Sequence, residues 1–250
     1  MGNGSGSGAR GNLYNVPVDD ITRSDLETMA LAVNYRRWVY AKMEPYLGGT
    51  ILEIGGGIGN YTEMFPDSSR VVTIEPHLEC VEVLSRKFAG SERVEVVQAG
   101  IEEYQPCGTF ETVVCLNVLE HIEDDRAALR KLAETLGPGG HLVLMLPACR
   151  TLYGPIDRAL HHHRRYARGE AGPLVRESGL RPVRIQYMNL VGFFGWLANA
   201  RLLRKREQSK SQVRFFDRVV VPVMRRVEAV LPPPIGQSLF VVASTGHASS

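Results

Sequence analysis

Apolar side chains along this chain gather in short runs rich in β-branched residues and leucine, separated by longer stretches with helical spacing. The runs cover residues 50–54, 70–75, 94–100, 110–116 and 141–147, then 180–187 and 238–244. Strands alternating with helical stretches predict a parallel, doubly wound α/β sheet. Ahead of the first run, residues 19–47 read as one or two helices. Ser24 is the expected N-cap, and Glu27 three residues on completes a capping box. Tyr35 and Trp38 share a helix face at i, i+3, which suits core packing or an aromatic wall over a ligand. Residues 136–140, Leu-Gly-Pro-Gly-Gly, are expected to end the helix that precedes the fifth strand.

The exits of the strands carry the chemistry. The first strand runs into Glu53-Ile54-Gly55-Gly56-Gly57-Ile58-Gly59-Asn60, a turn built for close approach of backbone to a ligand. The second ends in Ile74-Glu75-Pro76, an acid placed to hold ribose hydroxyls. The fourth leads into Asn117-Val118-Leu119-Glu120-His121-Ile122. Acids at Glu53 and Glu75 repel a pyrophosphate and suit a cationic cofactor, and no P-loop lysine accompanies the glycines.

These segments, ILEIGGGIGNYT, VVTIEP and NVLEHI, closely resemble the class I S-adenosylmethionine-dependent methyltransferases. The resemblance is strong over residues 34–148 and weaker to Ser244. It implies a Rossmann-like, doubly wound seven-stranded sheet, mostly parallel, with an antiparallel last strand beside the fifth. It also implies S-adenosyl-L-methionine as cofactor. Glu53 would orient the turn and the methionine ammonium. Gly55, Gly57, Gly59 and Asn60 would line the methionine and ribose. Glu75 and Pro76 would meet the ribose, and Asn117 and Val118 would offer backbone near the sulfonium. The family's usual acid after the third strand is replaced by Gly100, so adenine contact falls to the Ile101 N–H, with Glu102 a substitute carboxylate.

The acceptor side is expected beyond the carboxyl ends of the strands. Residues 152–166, LYGPIDRALHHHRRY, resemble a segment of a bacterial small-molecule subgroup of the family. If 157–166 is helical, Asp157 and His161 share one face and His162 and Tyr166 another. His162 and Tyr166 are the catalytic candidates, with His162 a base of ordinary pKa near 6.5 or an orienter. His161, His162 and His163 cannot converge on one ion, because consecutive side chains diverge, so no metal is expected. Tyr35, Trp38, Tyr153, Asp157, Arg165, Asn189 and Trp196 are the substrate-binding candidates.

Residues 189–237 form an insertion that reads as a helical cap over an apolar pocket, an interfacial helix on anionic lipid, or a self-association surface. Its apolar stretch at 189–200 is too short to span a bilayer of ~30 Å. Charge sharpens the division. From Arg150 onward 17 lysines and arginines stand against 6 acids, a balance of +11, while the preceding residues carry −9. The expected organisation is a flexible leader at 1–11, a helical lid at 12–48, a cofactor-binding core at 49–148 and a substrate-facing half at 149–250.

Cys80, Cys107, Cys115 and Cys149 have no paired spacing and read as reduced core thiols, neither disulfide nor zinc ligands. The implied protein is a cytoplasmic methyltransferase, monomer or homodimer, acting on N or O of a small biosynthetic acceptor, anionic or apolar. Nucleic acid is not expected as a partner. Methylation of a lipid-like acceptor at a membrane surface, and non-methyl chemistry on the same fold, stay open as alternatives.

Overall fold

The computed structural model describes residues 18–246; the expected leader at 1–11 and residues 12–17 of the lid lie outside them. Seven strands form one sheet: β1 Thr50–Ile54, β2 Arg70–Glu75, β3 Val94–Gln98, β4 Phe110–Leu116, β5 Leu136–Pro147, β6 Arg181–Met188 and β7 Ser238–Ser244. Their order is β3-β2-β1-β4-β5-β7-β6. The first five pair in parallel, and β7 runs antiparallel between β5 and β6. This is the Rossmann-like arrangement that the sequence led us to expect.

Successive strand side chains point to opposite faces, so the runs feed two cores. Leu52, Val113 and Leu144 pack on one side with Leu129 and Leu132 of α4 (Asp125–Glu134). Ile51, Val114 and Val143 pack on the other with Val39 and Met43 of α2 (Val33–Met43). Every residue of β7 is buried, which explains why that strand is apolar without alternation. The remaining helices of the sheet layer are α3 (Leu78–Lys87) and α6 (Arg168–Glu177).

Three local expectations are corrected. The first helix, α1 (Asp20–Leu31), starts earlier than Ser24: Asp19 is its N-cap, accepting from the Thr22 N–H at 2.8 Å, so Ser24 lies within the helix. Residues 136–140 belong to β5 rather than to a helix-ending turn. Leu136 pairs with Phe110, and the irregularity between Phe110 and Thr112 absorbs the glycines. The expected helix over 157–166 stops early: α5 spans Pro155–Ala159, and His161 takes a left-handed φ of 58°. The thiols also divide, with Cys80 and Cys115 buried, Cys149 half-buried and Cys107 exposed.

The insertion forms α7 (Leu190–Ala198), a π-helical turn (Asn199–Leu203), α8 (Lys210–Phe215), a second π turn (Phe216–Val220) and α9 (Val221–Val230). It is stitched down by carboxylates that accept from N–H groups at helix starts, at α2 where no side-chain cap is present and at α7 beside the Asn189 cap. Ala32, at the start of α2, has no side chain to offer, and Asp217 accepts from the Asn34 and Tyr35 N–H groups at 3.1 and 2.8 Å. Glu228 does the same for Asn189 and Leu190 at 3.1 and 2.9 Å. Among the described residues, no helix is long and apolar enough to cross a membrane.

Candidate active site

The turn after β1 is held open by its glycines. Gly55, Gly57 and Gly59 have φ of +72°, +56° and +79°, a region costly to side chains bearing a Cβ. A Cβ on Gly55 would lie 2.5 Å from Val118 Cγ2, and one on Gly56 would lie 2.2 Å from Thr73 Oγ1. Packing therefore brings this backbone as close to its surroundings as backbone can come. Arg36 of α2 pins the far side, donating to the Asn60 carbonyl at 2.7 Å and to Glu63 at 2.9 Å.

Two buried carboxylates sit beneath the turn. Glu75 accepts from the Gly57 N–H at 2.9 Å, and from the His77 N–H and Nδ1 at 3.1 and 2.8 Å. A carboxylate has about four acceptor positions, so Glu75 retains capacity for a ligand hydroxyl. Glu53 accepts from the Thr62 hydroxyl at 2.5 Å. Desolvation raises its carboxyl to about 7, more than Thr62 lowers it.

Above the turn opens a cavity of about 800 Å³. Its floor is Gly55–Gly57, Asn60, Tyr61, Asn117 and Val118; α1 supplies Asp25, Leu26 and Met29; the insertion roofs it with Trp196, Phe215 and Phe216. Asn117 takes a left-handed φ of 53° at the exit of β4. Tyr61 lines the cavity, and its hydroxyl is buried without a hydrogen-bond partner. An orphaned hydroxyl beside a side-chain-free backbone cradle is what a polar nucleoside ligand would complete.

The far wall is assembled around Asp157, which is fully buried. It accepts from Arg165 Nε at 2.7 Å, the Gly154 N–H at 2.9 Å and His162 Nδ1 at 3.1 Å. Burial alone would raise this carboxyl, but the bonds from His162 and Arg165 hold it below its usual range. An ionised carboxylate only accepts, so His162 donates from Nδ1 and, when neutral, keeps its lone pair on Nε2. Arg165 also donates to the Ala148 carbonyl at 3.1 Å and lies 5.2 Å from the Trp196 ring centroid. Glu120 and His121, from the 3₁₀ turn Leu119–His121, face the same cavity. The His121 and His162 rings meet edge to face at 4.7 Å. Desolvation pushes Glu120 up to about 7, and lowers His121 with a further push from His162.

Of the residues expected from sequence, the cavity brings together Gly55, Gly57, Asn60, Asn117, Val118, Tyr35, His162, Arg165, Asn189 and Trp196. Others lie elsewhere. Tyr166 is buried with its hydroxyl on Asp125 at 3.0 Å, a structural role instead of a catalytic one. Trp38 belongs to the core on the α2 side and only meets Tyr35 edge on at 6.1 Å. Tyr153 donates to the His162 carbonyl at 2.8 Å, and Asp157 is fully buried behind Arg165 and His162; neither borders the cavity, so both position the wall. Gly59 packs against Phe88 and Leu84. Ile101 joins the core, and Gly100 accepts the Tyr104 N–H at 3.1 Å. Pro76, Gly100, Ile101, Glu53 and Glu75 are outside the cavity lining.

Glu120 and His121 escaped assignment although NVLEHI was in view. Their signal was position: two ligating side chains directly at the polar exit of a central strand. The three consecutive histidines diverge, His161 reaching Asp19 at 3.2 Å and His162 turning to Asp157.

An open α/β sheet with a ligand cleft at its carboxyl ends defines the class of protein. Residues 34–189 match the family model described as a methyltransferase domain, and the chain belongs to that family, the class I S-adenosylmethionine-dependent methyltransferases. S-adenosylmethionine is the family's methyl donor. A tRNA U34 carboxymethyltransferase of Syntrophotalea carbinolica is 32% identical over 162 residues, 63% of this chain and 47% of that protein. The mitochondrial ubiquinone biosynthesis O-methyltransferase of Schizosaccharomyces pombe is 33% identical over 112 residues, 42% of this chain and 40% of that protein. The chain thus spans about half the length of these relatives or less. In structure, the N-methyltransferase NodS of Bradyrhizobium japonicum WM9, solved with S-adenosyl-L-homocysteine, superposes with a TM-score of 0.55 at 15% identity. That match covers 90% of this chain and 88% of NodS. At that identity the likeness is one of fold.

Proposed function

We propose that the protein moves a methyl group from S-adenosylmethionine to an N or O of a small acceptor held beneath the insertion. One observation carries this reading: a single cavity runs from the glycine turn to the aromatic roof around Trp196. The cofactor supplies an electrophilic methyl on a sulfonium. Gly55, Gly57, Asn60 and Tyr61 would hold it, with Glu75 reaching the ribose from beneath. Tyr35, Trp196, Phe215 and Phe216 give the acceptor end an apolar lining that excludes water. Alignment is then most of catalysis, since holding two reactants together is worth roughly 7–11 kcal/mol. The acceptor's nucleophilic atom must shed its proton, and the Nε2 lone pair of His162, oriented by Asp157, is the base that supports that step.

A small acceptor agrees with the roofed cavity and with the ubiquinone-pathway relative, and the expected biosynthetic role and cytoplasmic location belong to the same reading. The tRNA-directed relative supports the rival acceptor class, a nucleic acid. Screening candidate acceptors by mass spectrometry with methyl-labelled cofactor tests the proposal. A small molecule gaining one labelled methyl is the expected result. Labelled RNA with unlabelled small molecules would overturn it.

A further inference from the structure

Glu120 presents an unusual combination. It is fully buried, it borders the cavity, and neither carboxylate oxygen has a hydrogen-bond partner. A carboxylate in that position should be costly unless a ligand completes it. The atoms nearest to completing it are imidazole nitrogens. One ligand atom each from Glu120, His121 and His162 lies within 4.8 Å of the other two.

We propose that Glu120, His121 and His162 bind one divalent first-row transition cation on the acceptor side of the cavity. Two imidazoles and one carboxylate suit Zn, Co, Fe or Mn, and three protein ligands leave positions open toward the cavity. Bonds of about 2.0–2.2 Å hold neighbouring ligand atoms roughly 3–3.5 Å apart, so modest side-chain rotations close the site. The outer shell is already built. His162 gives its Nδ1–H to Asp157, which is fixed in turn by Arg165 and the Gly154 N–H. A carboxylate behind a histidine sets the tautomer and aims the free nitrogen at a metal. His121 comes from the turn after β4 and His162 from the segment after α5, so the site ties together two walls of the cavity.

This inference goes beyond the proposed methyl transfer. With a cation present, the His162 lone pair binds metal instead of a proton. A hydroxyl of the acceptor in an open position would lose its proton to solvent at lower pH, because a divalent ion stabilises the resulting oxyanion.

Co(II) titration of the chelator-treated full chain, followed by its visible d–d absorption, tests the site without any acceptor. The expected result is saturable binding of one Co(II) per chain, displaced by Zn(II). Glu120→Gln and His121→Ala should each weaken it by more than the roughly 10–100-fold that outer-shell changes cost. His121 is less buried than Glu120, so its variant keeps the test valid if the Glu120 variant fails to fold. S-adenosylhomocysteine affinity, measured in parallel, should persist in the His121 variant. Absence of saturable Co(II) binding in the native chain, or unchanged binding in His121→Ala, would overturn the cation site. Retained S-adenosylhomocysteine binding alongside that failure would leave the methyltransferase reading standing.

Discussion

Glu53 and Glu75 lie beneath the same glycine turn, yet only Glu75 is met by backbone and imidazole donors. Glu53 leans on the Thr62 hydroxyl, and burial outweighs that bond, raising its carboxyl from 4.5 to about 7. Below pH 4.5 it is protonated in both folded and unfolded chains. Between that pH and about 7 the unfolded chain ionises first, so stability falls as pH rises, by roughly 1.4 kcal/mol for each pH step of one. Glu53→Gln keeps an acceptor for Thr62 and removes the titration. Thermal melts of native and variant chains from pH 4.5 to 7.5 should show the native protein losing ground relative to the variant. Parallel curves would mean that Glu53 is ionised throughout. The sequence made Glu53 and Glu75 look alike, because each is an acid at the end of an apolar run. Only the three-dimensional donor count separates them.

At the scale of elements, the insertion and α2 are held by a long-range cap. Asp217 takes two N–H groups that α2 cannot satisfy itself. Removing an N-cap of this kind costs about 0.5–2 kcal/mol, and here it also loosens the roof. Asp217→Ala should lower the melting temperature and weaken acceptor binding while leaving S-adenosylhomocysteine affinity nearly intact. Equal melting temperatures would show that the cap is not what seats the insertion. Such a partner was invisible in sequence, since it lies 183 positions from Asn34 and 182 from Tyr35. The central strands were legible because both of their faces are largely buried and their runs are mostly apolar, whereas the edge strands β3 and β6 carry exposed polar residues. The helix expected over 157–166 was not, because helical spacing could not register the left-handed break at His161. That break separates His161 from Asp157 and sends Tyr166 into the core.

For the whole molecule, the charge division and the cavity tell one story. The acidic half holds the glycine turn with Glu53 and Glu75 beneath it, and the basic half builds the roof. The glycine turn itself was readable because a glycine at positive φ leaves a compositional mark. The far wall was half readable: His162 and Arg165 reach the cavity, but Asp157 and Tyr153 work behind them. The central claim is that Glu75 and the glycine turn hold an S-adenosyl ligand. Calorimetric titration of S-adenosylhomocysteine into the native chain and into Glu75→Ala, with circular dichroism to confirm folding, tests it most directly. One site per chain is expected. At least a tenfold loss is expected in the variant, since a hydrogen bond to a charged group is worth about 1.5–3 kcal/mol and about 1.4 kcal/mol is tenfold. No binding to the native chain, or equal affinity in a folded Glu75→Ala variant, would contradict it.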